Sequence, residues 1–386
     1  MNMIVKTANS FQELDTLKVF WEAWQNHPNN DFDHYKLVCR LRKEVESPCV
    51  LIAENDGDIA AMLIARVEKT AFSPAIGYFH LLRIPTKSIT VLHRGLLGRD
   101  DDETSRLLVQ HIWAFLGSGQ VDMVTFHNLS EHSPLMKSVE VCCPRQYREN
   151  IVRWNTHWAM TLPEQPGFLL KTLRSKHRSW ITGRQKKLES AYPGKVSWQW
   201  IKQFDDIPGL ATRLEAVAAR TYQRGLGAGF VNDEEHQQRY SLFADRGQLR
   251  VQMLEIEGQV KAFWIGTVYK NVFHSAETGY DPDFRIYELG TLIFFKMADE
   301  LVREGVLQID FGLGDAFYKE RYGDESLREA TINVFSPNFK GLLLRSISQS
   351  ANMVDKTLRG LLQKTGTLNQ VKTSLRRFIQ RKSKIG

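Results

Sequence analysis

The chain has 386 residues, 42% of them hydrophobic and 25% charged, the balance of a globular protein long enough for two cores of roughly 150 residues each. No run of about 18 uncharged apolar residues occurs, and Glu13 and Asp15 come too soon for a secretory signal, so no spanning helix is expected and a cytoplasmic location is. The net charge of +7 is uneven: residues 339–386 hold eleven Lys or Arg against Asp355 alone, which leaves the body at −3 and argues against a DNA partner.

Taken in chain order, the first strong signal is Val50–Lys69, two β-rich runs around an acidic residue and Gly57, as a hairpin requires. The same pattern returns at Val251–Lys270 with constant offset: Val50 matches Val251, Glu54 matches Glu255, Gly57 matches Gly258 and Lys69 matches Lys270. Ser105–Gly119 then reads as an amphipathic helix before a strand at Val121–Phe126, and Thr291–Gly305 precedes Val306–Phe311 in the same way. Two matches in register predict a tandem duplication of an α/β unit. Cys39, Cys49, Cys142 and Cys143 have no zinc spacing and are read as buried structural thiols, with no metal expected.

Pro163 and Pro166 precede a basic segment, Leu169–Tyr192, with apolar residues near helical spacing, and Pro193-Gly194 end it. A boundary near Thr161–Gly167 follows. The predicted domains are 1–161, a linker helix within 162–194, a second domain over 195–337, and a basic tail from 338 to 386. The second domain reads as strand Val196–Ile201, helix Ile207–Tyr222, a loop with Arg-Gly-Leu-Gly-Ala-Gly and a helix around Asp233–Ala244. Three meander strands follow at Arg250–Ile256, Gln259–Tyr269 and Val272–Tyr280. A helix from Leu289, a strand at Leu307–Phe311, the Ala316–Tyr322 segment and a last strand near Glu329–Phe335 complete a mixed sheet. In the tail, Leu343, Ile347, Val354, Leu358, Leu361 and Leu362 form one apolar helical face, and a second amphipathic stretch follows Gly366. Such basic helices suit an anionic membrane surface, with packing on the body as the alternative.

The element order and Ile309–Glu325 resemble the GNAT acyltransferase superfamily, and more closely the CelD/BcsL-like branch of tandem GNAT proteins associated with bacterial extracellular polysaccharide synthesis. That branch shows Tyr-Asp-Pro after the third meander strand, Gly opening a helix, Asp-x-x-x-Gly and Tyr-Lys. Here these are Tyr280-Asp281-Pro282, Gly290, Asp310 with Gly314, and Tyr318-Lys319. Tyr318–Gly323 is also similar to the Phe-Lys-x-x-Phe-Gly signature of Fem-type aminoacyl transferases. The resemblance spans about Ile4–Pro337, more strongly in the second copy. It implies two tandem GNAT-like α/β domains with a basic helical tail, acetyl-CoA as co-substrate, and a sugar nucleotide or glycan precursor as acceptor. A Fem-like transfer from aminoacyl-tRNA and a non-catalytic membrane-associated module remain as alternatives. The superfamily's pyrophosphate loop is reduced to Gly290 with Thr291. The glycine-rich run at Arg224–Gly229 lies between two earlier helices and reads as a substrate-side loop, because phosphate capture needs the helix that follows the strand.

Site roles follow from this resemblance and from the chemistry of acyl transfer. Tyr318 is placed to protonate the departing thiolate, with aromatic packing as its rival role. Lys319 either neutralises developing negative charge and grips a phosphate, or is a solvated cation. Asp310, at a strand end, orients an amine or acts as base, or else caps the loop by an Asx-type bond. Strict alternation sets Glu277 opposite His274 and Tyr280, and Tyr280 with Asp281 is preferred for the substrate site. Arg178 and Arg184 suit a diphosphate or acidic sugar unless they merely face water. In the first copy Thr125 replaces Asp310 and His127-Asn128-Leu129-Ser130 replaces Tyr-Lys, so catalysis is expected to be lost there and that copy to form a wall of the cleft.

Overall fold

The computed structural model describes residues 3–77, 79–80, 82–221, 224, 229–314 and 316–365. The first copy runs β1 (Met3–Ala8), α1 (Phe11–Trp24), α2 (Phe32–Leu41), β2 (Val45–Asn55), β3 (Asp58–Phe72) and a small hairpin of β4 (Ala75–Ile76) and β5 (Phe79–His80). It continues through β6 (Ile84–Gly98), α3 (Asp102–Gly117), β7 (Met123–Ser130), α4 (Pro134–Cys142) and β8 (Trp154–Thr161). The second copy follows as α5 (Phe168–Thr172), α6 (Ser175–Ala191), β9 (Val196–Ile201), α7 (Ile207–Ala218), α8 (Glu234–Asp245), β10 (Leu249–Ile256), β11 (Gln259–Tyr269) and β12 (Val272–Tyr280). Then come α9 (Leu289–Arg303), β13 (Gln308–Leu313), α10 (Phe317–Tyr322), β14 (Glu325–Phe335) and α11 (Phe339–Lys364).

Local chemistry accounts for these elements. Ser10 and Glu13 form a reciprocal capping box on α1, and Asp101, Asp206 and Asp233 cap α3, α7 and α8 through their carboxylates. The two matching hairpins turn through Asp56-Gly57 and Glu257-Gly258, all four residues with positive φ. Such two-residue turns match the twist of antiparallel strands, and glycine takes the left-handed conformation without steric penalty.

Two compact units result. The first contains the chain up to Thr156 and the described residues from Leu327 onward; its strands run β1-β2-β3-β6-β7-β14, antiparallel except for the parallel β6–β7 pair. The second covers His157–Ser326, ordered β9-β10-β11-β12-β13-β8, antiparallel except for β12–β13. The two orders are the same, as the duplication predicts. Each sheet is covered on both faces. In the first unit, Leu14, Trp21 and Tyr35 pack on one side and Leu108, Ile112 and Phe126 on the other. In the second, Leu214, Tyr240 and Phe263 face one way and Trp264, Phe294 and Ile309 the other.

The units depart from the predicted boundaries at 161, 195 and 337. Strand β14 does not finish the second unit; it pairs with β7 in the first, Asn333 opposite Thr125. Conversely, β8 leaves the first copy and pairs with β13 in the second unit, Ala159 opposite Asp310. The predicted linker helix is two helices, broken at Leu173-Arg174, and α6 buries Ile181 and Leu188 in the second unit's core.

The tail also differs. Helix α11 packs on the first unit through Gly341, Leu344, Ser348, Ala351 and Asp355, not through the apolar stripe read from sequence. Ser348 bonds the buried Glu149, and Asp355 pairs with Arg153 and accepts the Gly77 amide at 2.8 Å. These polar anchors fix which side of the helix faces the body. The amphipathic stretch after Gly366 and the core of the glycine-rich loop, 225–228, lie outside the described residues. Among the described residues no helix is long and apolar enough to cross a membrane. Cys39, Cys49 and Cys143 are buried free thiols; burial pushes Cys39 up to about 11 and the other two to about 12, which keeps them inert.

Candidate active site

The site of the second unit is built on a fork between two parallel strands. β12 and β13 pair only from Val272↔Gln308 to His274↔Asp310, and beyond that rung β12 runs on to Tyr280 without β13. At the same place Ala276 is an extra residue in β12: the register against β11 shifts between Ile265↔Glu277 and Gly266↔Ser275. A bulge of this kind bends one strand and breaks its alternation. His274 and Glu277 therefore share the face of Phe263 and Ile265, while Ser275 and Tyr280 share the face of Trp264. This corrects the expectation that Glu277 opposes His274, which assumed an unbroken strand.

Asp310 stands at the vertex. Its neighbours Ile309 and Phe311 belong to the core under α9, so its own side chain projects to the opposite face with His274. His157 Nε2 lies 2.6 Å from Oδ1, His274 Nδ1 lies 3.3 Å from Oδ2, and the Gly312 amide donates to Oδ1 at 2.7 Å. Burial works to raise the Asp310 pKa, but the hydrogen bonds from the two imidazoles outweigh it and hold the carboxyl far below the usual range. Both readings of Asp310 thus meet in one residue, since it caps the turn and also faces two bases. His157 was not found from sequence. Its only signal was a histidine at a core-facing position of β8, and its partner lies 153 residues away.

Lys319 on α10 is buried, not solvated. Its ammonium donates to the carbonyls of Phe311 at 2.6 Å, Leu313 at 2.7 Å and Gly312 at 3.4 Å. Burial lowers its pKa to about 8, with Asp310 pulling the other way. These carbonyls lie where β13 has parted from β12, so Lys319 supports the strand where the fork opens. Tyr318 packs edge-on against Trp264 at 5.3 Å and Phe311 at 5.8 Å between ring centroids, on the α9 side of the fork.

The remaining candidates divide. Asp281 is buried and committed: it accepts the Asp283 amide at 3.1 Å, pairs with Arg220 and lies 3.5 Å from Lys261. Tyr280 is partly exposed, and its ring lies against Gly290, where an added Cβ would stand 3.4 Å from it. Gly290 and Thr291 open α9 behind Glu288, which is left-handed (φ 57°) and makes no side-chain cap. Arg184 donates to the Ile286 carbonyl at 2.9 Å, just before α9, and Lys187 lies over Tyr287. Arg178, earlier on α6, bonds the Lys171 carbonyl. The fold thus brings Tyr280, Gly290 and Arg184 together near the α9 entrance. Glu277 is occupied by Arg239 at 2.7 Å and by the Tyr240 hydroxyl. The corresponding rung of the first unit is Thr90↔Thr125, where Thr125 bonds Asn333 at 2.8 Å and Thr90 bonds the buried Glu68 at 2.8 Å, and just past the last paired rung His93 lies 3.1 Å from the buried Glu329.

Residues 175–320 match the family model for an "Acetyltransferase (GNAT) domain". Among solved structures, FemX superimposes with a TM-score of 0.56 at 10% identity, over 90% of this chain and 100% of that one. A conserved protein of unknown function from Bacteroides thetaiotaomicron VPI-5482 gives 0.51 at 13% identity, covering 86% and 100%. A tandem GNAT protein from the clavulanic acid biosynthesis pathway gives 0.50 at 11%, covering 87% and 99%. At such identities the likeness is one of fold. No curated protein matches the chain. Residues 175–320 thus match a GNAT acetyltransferase domain, which supports an acyltransferase.

Proposed function

We propose that the protein moves an acetyl or similar acyl group from a CoA thioester to an amine or hydroxyl of an anionic glycan precursor, such as a sugar nucleotide, in polysaccharide synthesis. The observation that carries this is the β12–β13 fork with Asp310 and two imidazoles on one face and Tyr318 and the start of α9 on the other. Acyl transfer needs that separation: the acceptor approaches the carbonyl carbon from one side while the sulfur leaves toward the other.

In this reading Asp310 orients His274 through Nδ1, and the nitrogen on the far side of the ring, Nε2, takes the proton of the attacking amine or hydroxyl. The new bond to the thioester carbon forms, the oxyanion collapses, the C–S bond breaks, and the thiolate takes the Tyr318 phenolic proton. Lys319 holds the strand that presents Asp310. A basic helix favours a phosphate-bearing ligand: from Gly167 to Leu188 the chain has seven Lys or Arg and no acid, Arg178 and Arg184 among them. Gly290 and Thr291 would receive the pyrophosphate of the donor at the α9 N-terminus.

One observation favours a second reading, a Fem-like transfer from aminoacyl-tRNA. Glu288 puts a carboxylate beside the α9 entrance, where a pyrophosphate would be repelled. Calorimetry with acetyl-CoA, CoA and charged tRNA separates the two: micromolar CoA binding supports the first, and binding of charged tRNA alone supports the second. With the donor known, His274→Ala is expected to lower kcat by about 10²–10³ with KM for the donor changed by no more than about twofold. Full turnover in that variant would remove His274 as base.

A further inference from the structure

We infer that the outward face of α11, with the β4–β5 hairpin beside it, is a docking surface for an anionic phospholipid bilayer. The helix has 26 residues, about 39 Å at 1.5 Å per residue, and is held to the first unit by Gly341, Leu344, Ser348, Ala351 and Asp355. At about 100° per residue, Ser348 and Asp355 point one way and Phe339, Leu343, Met353 and Leu361 point roughly the other. Phe339 is 83% exposed, Met353 61% and Leu361 56%. This inverts the ordinary arrangement, in which an amphipathic helix buries its apolar stripe on the body. The hairpin adds to the same region. Its turn residue Gly77 bonds Asp355 in mid-helix, Phe79 is 60% exposed, and Leu82 just beyond it is 53% exposed. Apolar surface of this extent, left outside and contiguous along one element, marks an interaction site.

Charge selects the occupant. Of the five cations on the helix, Lys340 pairs with Asp122, Arg345 bonds the Arg145 and Arg148 carbonyls and Arg359 pairs with Asp355, while Lys356 and Lys364 stay exposed; Asp355, the helix's one acid, is buried and also paired with Arg153. The sequence from 366 to 386 adds six Lys or Arg and no acid. A second copy seated on this face would bring like charge against like charge. An anionic lipid surface offers both an apolar interior for Phe339, Leu343 and Leu361 and counter-charge for the cations.

The test uses the full chain and sedimentation with vesicles of phosphatidylglycerol and phosphatidylcholine in equal parts, or of phosphatidylcholine alone. Wild type should pellet with the anionic vesicles and stay in solution with the neutral ones. The double substitution Leu343→Glu and Leu361→Glu should weaken the anionic association at least about tenfold while the far-UV spectrum and melting midpoint stay near wild type, because neither side chain is part of the core. Deleting 366–386 should weaken binding less than the double substitution does. Three results would overturn the proposal: wild type that ignores anionic vesicles, a double variant that binds as wild type does, or a wild-type dimer in solution that the double substitution returns to monomer.

Discussion

At the scale of single residues, the buried charges around the fork decide what substitutions do. Asp310 has its ionised form favoured in the folded state, so its contribution to stability is present in full above the ordinary carboxylate range and declines as pH falls below it. Asp310→Asn should therefore cost about 3 kcal/mol near neutrality. Urea midpoints of wild type and variant should stay equally far apart down to about pH 4 and draw together below it. A gap that is constant to about pH 3 would mean that the charge is not what matters. Lys319→Met keeps the bulk and leaves the Phe311 and Leu313 carbonyls without their donor, at an expected loss of about 3 kcal/mol in the same measurement. That expectation differs from both sequence readings, in which Lys319 acted on developing charge or a phosphate or was a solvated cation. Asp310 and Lys319 were visible because their motif is local. His157 was not, because the bond that gives it meaning joins two strands near opposite ends of the second unit's sequence.

At the scale of elements, the working geometry depends on one extra residue. Ala276 puts His274 and Glu277 on the same face, and nothing in Phe-His-Ser-Ala-Glu-Thr marks the bulge, so strict alternation gave the wrong side for Glu277. The opposing residue, Gly266, leaves no room for a side chain: an added Cβ would stand 2.4 Å from the Phe273 ring and 2.5 Å from the His274 carbonyl. Gly266→Ala should cost about 2–3 kcal/mol and lower kcat further than the loss of folded protein explains, since the strain falls on His274 itself. Gly183, in the interior of α6, is the matched control. A Cβ there meets nothing within 4 Å, and Gly183→Ala should stabilise by about 1 kcal/mol in thermal melts. Helix and hairpin positions were legible within a few residues because capping, periodicity and turn chemistry are local signals. The side that α11 buries was not, because Ser348 and Asp355 are drawn inward by Glu149, Arg153 and the Gly77 amide, partners distant in sequence.

At the scale of the whole chain, the duplication was readable and its closure was not. The repeat runs in register through β2–β3 and β10–β11 and again through α3–β7 and α9–β13, but no feature of β8 or β14 says which sheet receives it. Pairing over such sequence separation is settled by the edge each sheet leaves open, not by the strand's own residues. The consequence is testable with fragments. The predicted domain, 195–337, lacks β8, so β13 would have a bare edge, Asp310 would lose its 2.6 Å partner His157, and the core under α9 would lose Ile181 and Leu188. It would also carry β14 with nothing to pair. The fragment 157–326 keeps the β8 residues that pair with β13, α6 and all three members of the Asp310 cluster. In matched melts, 157–326 should unfold in a single cooperative transition as a monomer, whereas 195–337 should aggregate or melt without one, because unpaired strand edges seek partners and an incomplete core cannot offset chain entropy. Equal cooperativity in the two fragments would show that the edge strand and α6 are dispensable. The fork would then have to be held open by β9–β13 alone, and His157 would no longer be needed to fix Asp310 at its vertex.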